Sequence, residues 1–412
     1  MTAAHESLIA TLVMFLSLAG LCASPALAQC SGQIEGTIRD EQGSVLPGAT
    51  ISLRNEESGV MRIVASEPDG RYVFPALSPG RYLLRAELSG FATQEVRGVV
   101  ITIGLELRRD FTLKIQAVAE TVTVSAESPV VDTTKAEVSG VVTRQQIETL
   151  PINSRQYLSL ALLMPGTTVD ATRSFFATVN AGGSMTFNGT GNVVDGTINN
   201  WVEDGEQEDG EPRQDLPEDA VAEFKVTHAL PKAEFGLATG GVVQVVTKSG
   251  TNLLRGDAFE YFRDKSLNAQ GVFETTKPAY RRNQFGGSAG GPIIPNRMHY
   301  YGAFERTAID EFFTVTAPAT FYSAVDGTFP KPTTRNLYFG RGEWQISNSQ
   351  NAFARYLQED ELTLCVNCGG TTSPTGSFDQ SVPRKSLAAG HTWIRGARQL
   401  NEFRFQYGSS LR

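Results

Sequence analysis

Gly286-Gly287-Ser288-Ala289-Gly290 has the G-x-S-x-G spacing with which a serine hydrolase raises its nucleophile on a sharp strand-to-helix turn. That chemistry needs a helix directly after the serine, and Gly291-Pro292 forbids one. His228, His299 and His391 are available as bases, but each stands apart from any acidic partner at a recognisable spacing. Thr247-Lys248-Ser249 lacks the spaced glycines of a phosphate loop, and no helix start follows the glycines at 286–291 to supply aligned amides. The expectation is a protein that is not an enzyme and carries no cofactor.

Two further groups have metal-ligand chemistry. Cys365-Val-Asn-Cys368 has the spacing of half a zinc site, yet no second Cys/His pair is nearby, so a small loop disulfide between Cys365 and Cys368 is the better reading. Glu203, Asp204, Glu206, Glu208 and Asp209 crowd together, but the Asp-x-Asp-x-Asp-Gly order of a calcium loop is missing, and a solvated loop is expected. A third segment, Glu120-Thr121-Val122-Thr123-Val124, offers backbone chemistry. A β-branched extended run can add itself as a strand to another protein's sheet edge, or it can be the last strand of the preceding domain; the pentapeptide alone favours the latter.

The elements that would position these groups are mostly strands. Phe, Tyr, Val, Thr and Gly dominate the later two-thirds of the 412 residues, and long runs rich in Ala, Leu, Glu and Lys are rare. A formal net charge of -8 leaves no basic face for a phosphate backbone, which excludes nucleic acid as a partner. Residues 1–28 read as a signal peptide ending in Ala26-Leu27-Ala28, with Gln29 as the mature start. From Gln33 to Leu113 short alternating runs are closed by turn signals at Pro47-Gly48, Asp69-Gly70, Pro79-Gly80 and Ser89-Gly90. This predicts a β-sandwich whose strands bury Tyr72 with Phe74 and Tyr82 with Leu84. Residues 116–134 read as an extended linker. Between Val138 and Thr247 the pattern mixes strands with helices expected at Arg144–Leu150 and Ser154–Leu163, a compact α+β unit.

Gly36-Thr37-Ile38-Arg39-Asp40, Leu46-Pro47-Gly48-Ala49, Gly70-Arg71-Tyr72-Val73-Phe74 and Leu77-Ser78-Pro79-Gly80-Arg81-Tyr82 resemble the carboxypeptidase regulatory-like domain. That resemblance implies a transthyretin-like sandwich without catalytic residues over 31–115. Further on, Glu223-Phe224-Lys225-Val226, Glu234-Phe235-Gly236, Thr247-Lys248-Ser249-Gly250-Thr251-Asn252, Phe259-Glu260-Tyr261, Asn283-Gln284-Phe285-Gly286-Gly287-Ser288 and Gly290-Gly291-Pro292-Ile293 resemble TonB-dependent receptors, nearest to the Oar-like subgroup. Asp195-Gly196 and Leu150-Pro151-Ile152-Asn153-Ser154-Arg155 fit the same family's plug, although Thr190 replaces an arginine often seen near Asn188-Gly189. The resemblance implies a plug over 135–250, a barrel from 251 to 412, and a TonB box at Glu120, Thr121, Val122, Thr123 and Val124 inside the linker. The implied partners are the TonB protein, outer-membrane lipid and an extracellular substrate, with the sandwich and plug on the periplasmic side of the outer membrane.

Beyond Leu254 the residue pattern agrees. Phe403, Phe405 and Tyr407 alternate with Glu402, Arg404 and Gln406, and Tyr338, Gly340, Gly342 and Trp344 oppose Arg341, Glu343 and Gln345, as lipid-facing and lumen-facing positions do. Other strands are expected to begin near Gly256, Asn283, His299, Asn351 and Leu387. The fold class expected is therefore mainly β: a transthyretin-like β-sandwich, a small α+β plug domain, and the start of an incomplete antiparallel transmembrane β-barrel. A plugged barrel takes about 22 strands, and Leu254 to Arg412 has room for about seven or eight, so a fragment of a longer receptor is expected. The competing expectation is a non-transporting surface or periplasmic protein that recognises glycan or protein through its sandwich.

Overall fold

The computed structural model describes residues 30–115, 121–125, 138–152, 155–164, 167–170, 178–181, 190–203, 206–212, 214–229, 241–270, 277, 279–315, 327–366, 368, 372–396 and 399–410. The expected signal peptide, Glu120, Asp204 and Glu234-Phe235-Gly236 lie outside these residues.

The sandwich is built from β1 (Gly32–Asp40), β2 (Thr50–Asn55), β3 (Met61–Ala65), β4 (Arg71–Leu77), β5 (Gly80–Glu87), β6 (Thr93–Ile101), β7 (Glu106–Arg108), β8 (Phe111–Leu113) and β9 (Thr121–Ser125). One sheet centres on β1, antiparallel to β4 and parallel to β7 and β8; the other runs β3-β2-β5-β6-β9. Alternation along each strand sends Ile34, Ile38, Ile51, Leu53, Tyr72, Phe74, Tyr82 and Leu84 into one core. The buried phenols keep their hydrogen bonds: Tyr72 Oη donates to the Arg109 carbonyl at 2.5 Å and Tyr82 Oη to the Ser78 carbonyl at 2.6 Å.

β9 lies within the segment expected as an extended linker and takes the alternative of a last strand on the sandwich. Thr121–Ser125 pairs in parallel with Thr93–Arg97 of β6, because β6 would otherwise end the sheet with a bare edge and a β-branched run fits it. Within the acidic segment expected as a solvated loop, β15 (Asn200–Glu203) pairs antiparallel with β16 (Glu206–Pro212).

The second unit contains β10 (Val138–Val142), α1 (Arg144–Thr149), β11 (Thr167–Asp170), β12 (Thr178–Ala181), β13 (Thr190–Val194), β14 (Thr197–Ile198), β17 (Val221–Ala229) and β18 (Gly241–Thr247). Its main sheet has the order β10-β17-β18-β13-β14, and central β18 is buried throughout, hence its near-continuous valine run. Thr143 and Gln146 cap α1 reciprocally. The helix expected at Ser154–Leu163 is a 3-10 helix, Tyr157–Leu163. Its i, i+3 spacing buries Tyr157 with Leu160 and Leu158 with Ala161 on one side, which an α-helix of 3.6 residues per turn would splay.

The last unit is a seven-stranded antiparallel sheet in chain order: β19 (Arg255–Asp264), β20 (Tyr280–Ile294), β21 (Met298–Val315), β22 (Gly327–Ser347), β23 (Gln350–Thr363), β24 (Gln380–Arg395) and β25 (Gln399–Ser410). Among the described residues it does not close on itself. The strand ends at Ile294 and Met298, Ser347 and Gln350, and Arg395 and Gln399 lie at one end of the sheet and are separated by few residues; those at Asp264 and Tyr280, Val315 and Gly327, and Thr363 and Gln380 lie at the other end and are separated by many. In outer-membrane barrels the short turns are periplasmic. Tyr300, Trp344 and Trp393 sit near the short-turn end with exposed outer faces, an aromatic girdle, while Phe403, Phe405 and Tyr407 face outward as the alternation requires.

Gly36 of β1 has no room for a side chain, since a β-carbon there would collide with the Arg109 carbonyl and the Tyr72 ring. Gly36→Ala is expected to cost about 1–3 kcal/mol, read as a lower urea midpoint for the sandwich transition.

Candidate functional site at the plug–barrel seam

The concave face of the seven-stranded sheet holds the α+β unit, and the two share one core: Tyr157, Phe224, Val243 and Val245 pack with Ala303, Phe339 and Leu357 of the strands. Apolar contact would be enough for adhesion. What distinguishes this seam is the number of charges buried in it.

The first charged group is built by a turn. Asp195 and Gly196 both have positive φ, 48° and 77°, the geometry of the two central positions of a type I′ hairpin between β13 and β14. The turn aims the Asp195 carboxylate at β18 and at the barrel wall. Thr247 N–H donates to Oδ1 at 2.9 Å and Thr247 Oγ1 to Oδ2 at 2.8 Å. From the wall, Arg341 Nη1 of β22 reaches Oδ1 and Arg355 Nη1 of β23 reaches Oδ2, each at 2.9 Å. Arg355 also donates to Thr197 Oγ1 at 3.0 Å, and Arg341 pairs with Glu343. Burial alone would push the Asp195 carboxyl up, but Arg341, Arg355 and the Thr247 donors outweigh it and hold the group below the usual carboxylate range.

The second group surrounds Arg155. Its guanidinium meets Asp219 at 2.7 Å, Glu305 of β21 at 3.3 Å and Glu218 at 3.7 Å, and stacks 3.7 Å from the centroid of the Phe259 ring on β19. Arg155 holds a left-handed φ of 54°, a strain of about 1 kcal/mol or more that the surrounding contacts must offset. One cation shared by three carboxylates leaves an excess of negative charge. Burial, reinforced by Asp219 and Glu305 and opposed by Arg155, pushes the Glu218 carboxyl up to about 7. The imbalance explains why Arg155 is held firmly charged while its own ion-pair partner is easier to protonate.

In the third group Arg335 of β22 binds Asp215 at 2.6 Å, and Glu359 of β23 accepts from the Asp215 amide at 3.1 Å while pairing with Arg384 of β24 at 3.3 Å. Asn199 and Gln214 close this patch through paired amide contacts of 2.9 and 3.2 Å.

The residues singled out from sequence are scattered. Thr121–Val124 lie in β9, away from the seam, and Cys365 and Cys368 form a disulfide, Cα atoms 5.3 Å apart, in the long connection at the opposite end from the short turns. Ser288 lies midway along β20, donating to Asp257, so the strand–turn–helix geometry of a hydrolase elbow does not form there. The seam arginines carried a usable sign in advance: Arg335 and Arg341 share the inward parity of β22. Their partners did not, because Asp195 sits in a turn, Asp215 in a connection and Asp219 in a short 3-10 helix, whose orientation no periodicity reports.

A mixed sheet ion-paired into the hollow of an antiparallel, aromatic-girdled sheet is the architecture of a plugged outer-membrane β-barrel protein. Residues 33–114 match the family described as "Carboxypeptidase regulatory-like domain", and residues 246–326 match "Outer membrane beta barrel domain". The TonB-dependent transporter Oar of Myxococcus xanthus is 26% identical over 306 residues, which are 69% of this chain and 27% of that protein. The outer membrane transporter YddB of Escherichia coli has the same fold, with a TM-score of 0.50 at 13% identity over 66% of this chain and 38% of its own. The siderophore receptor PirA of Acinetobacter baumannii superposes with a TM-score of 0.49 at 18% identity, over 66% of this chain and 40% of its own. The protein is an outer-membrane homologue of TonB-dependent transporters, and it spans about a quarter of the Oar relative's length. These relatives are transporters and receptors rather than enzymes.

Asp195→Ala would leave Arg341 and Arg355 facing each other with only Glu343, on the Arg341 side, as a counter-ion. Its expected cost is about 3–5 kcal/mol, read as a lower calorimetric transition for the solubilised protein. Glu218 gives a pH dependence of defined sign. Because its folded value is raised from 4.5 to about 7, its contribution is fully present below the unfolded value and is lost as pH rises through about 7. Melting temperature is expected to fall between about pH 5 and pH 8, and Glu218→Gln to make that slope shallower.

Proposed function

We propose that this chain carries the sandwich, plug and first barrel strands of a TonB-dependent active transporter. The observation that carries the reading is the seam itself: the plug is held in the hollow by Asp195 shared between Arg341 and Arg355, by Arg155 among carboxylates, and by Asp215 with Arg335. Such groups regain hydration when they separate and pair again when they return, which suits a gate that opens and recloses without unfolding the barrel. Energy would arrive through the TonB protein pairing with Glu120 to Val124. Among the described residues β9 ends its sheet, which leaves one of its edges for strand addition. The substrate would approach the long connections at 265–279, 316–326 and 364–379, and siderophores, glycans and peptides all suit the class.

A competing reading, a surface or periplasmic protein that binds through its sandwich without transporting, draws on β9 being satisfied along one edge by β6. Val122→Pro separates the two, because proline removes a strand N–H and its ring disfavours the paired geometry. Binding of the purified periplasmic domain of TonB to the full-length receptor should fall by about tenfold or more, with loss of energised uptake. Unchanged TonB binding and uptake would favour the binding-only protein.

A further inference from the structure

Ile103 is out of place in its own domain. It sits in the connection between β6 and β7, only 2% exposed, yet it takes no part in the sandwich core. Its neighbours are Cys30, Val193, Ala222, Val242 and Val246, so its side chain is buried against the face of the plug sheet. The next residue, Gly104, has a φ of 67° and presents its backbone to Lys225, close enough that a β-carbon would lie 3.2 Å from Nζ. The Ile103 amide donates to the buried Glu223 carboxylate of β17. The connection is a short finger laid on the plug.

A second row of contacts lies alongside. Glu57, in the turn after β2, pairs with Arg144 of α1 at 3.1 Å, and its carbonyl accepts from the Asn252 amide at 3.0 Å. Gly59 packs against the side-chain amides of Asn252 and Asn296, with a left-handed φ of 69° that favours glycine. Asn296 belongs to the 295–297 turn, so this row touches the periplasmic rim of the barrel as well as the plug. Between the two rows remains a cavity of about 160 Å³ edged by Arg144, Arg341, Glu343, Glu402 and Arg404. A small apolar anchor, a polar rim and an unfilled wedge describe an interface that separates, in contrast to the continuous core of the plug–barrel seam.

We infer that the sandwich is a detachable cap on the periplasmic face of the plug, anchored by Ile103, and that its departure loosens the plug sheet before the plug moves. The inference rests on the transporter reading for its purpose but not for its test. Glu223 makes the docked state conditional. Burial pushes its carboxyl up to about 7, against the Ile103 amide and Arg144, which lower it. The charged groups around it are Arg144, itself paired with Glu57, and Lys225 beside Gly104; the Cys30 thiol in the same cluster is pushed up to about 12 by burial and stays neutral. Raised above its free value, Glu223 favours the docked cap at low pH and weakens it as pH rises through about 7.

Hydrogen exchange on the full-length receptor in detergent, without substrate or TonB, tests this. Ile103→Glu should speed exchange of β17 and β18 amides by about tenfold or more while β2 and β5 of the sandwich stay protected. Val100→Glu, on the exposed side of β6, should change neither. Glu223→Gln should slow plug exchange above neutral pH relative to wild type and remove its pH dependence once intrinsic exchange is corrected. If Ile103→Glu unfolds the sandwich, Glu57→Lys, which reverses the charge facing Arg144, replaces it with the same expectation. Plug exchange unchanged by an undocking variant with an intact sandwich would overturn the cap. Absence of TonB binding would instead count against the transporter reading and leave this result standing.

Discussion

Asp195 is a buried carboxylate whose two guanidinium partners belong to a different structural unit, and neither side tolerates burial without the other. Everything else in the molecule is arranged around that constraint. The type I′ turn exists to aim the carboxylate, Thr247 occupies its remaining lone pairs, and β22 and β23 must be in register for Arg341 and Arg355 to arrive on opposite oxygens. An antiparallel pair in which Arg341 stands directly opposite Arg355 would be unfavourable alone, since like charges face each other across the ladder. The plug's carboxylate turns that repulsion into a binding site for the plug.

The same logic explains why the seam is charged when an apolar one would hold more tightly. A hydrophobic plug would be a permanent part of the core, whereas ion pairs exchange for water at smaller net cost. The seam combines the two: Phe224, Tyr157, Phe339 and Leu357 give adhesion, and the three charged groups fix the register. The sandwich then adds a third layer held by much less, in keeping with its position beyond the barrel rim. In chain order β9 falls between the strands of the sandwich and those of the α+β unit.

Strand parity carried most of the barrel reading. In β25 the alternation of Phe403, Phe405 and Tyr407 with Glu402, Arg404 and Gln406 is a local property, and the structure keeps it. The sandwich was legible for a similar reason, since its turn signals and paired aromatics are local. The segment at 121–125 was not, because whether a β-branched run is linker or strand depends on a partner, and that partner, β6, is distant in sequence. Tyr157–Leu163 reads as a helix from its apolar spacing, and only the shape of the neighbouring core selects the tighter winding. Ile103 gave no sign at all: one isoleucine in a turn is unremarkable until the plug sheet is seen beneath it.

The amino-acid sequence by itself determined the mainly β class, the strands of the sandwich, and the alternation of outward and inward residues along the later strands, because these follow from periodicities of two residues and from turn chemistry, whereas the plug was implied by the resemblance to TonB-dependent receptors. Tertiary structure alone decided which charges meet. Asp195 and Arg355 are joined across 160 positions and Asp215 and Arg335 across 120, and such pairs are selected by how two units nest rather than by any pattern along the chain. The docking of Ile103 on Glu223 is of the same kind. Local propensity shapes the pieces; burial of unpaired charge, too costly to leave unanswered, determines how they fit.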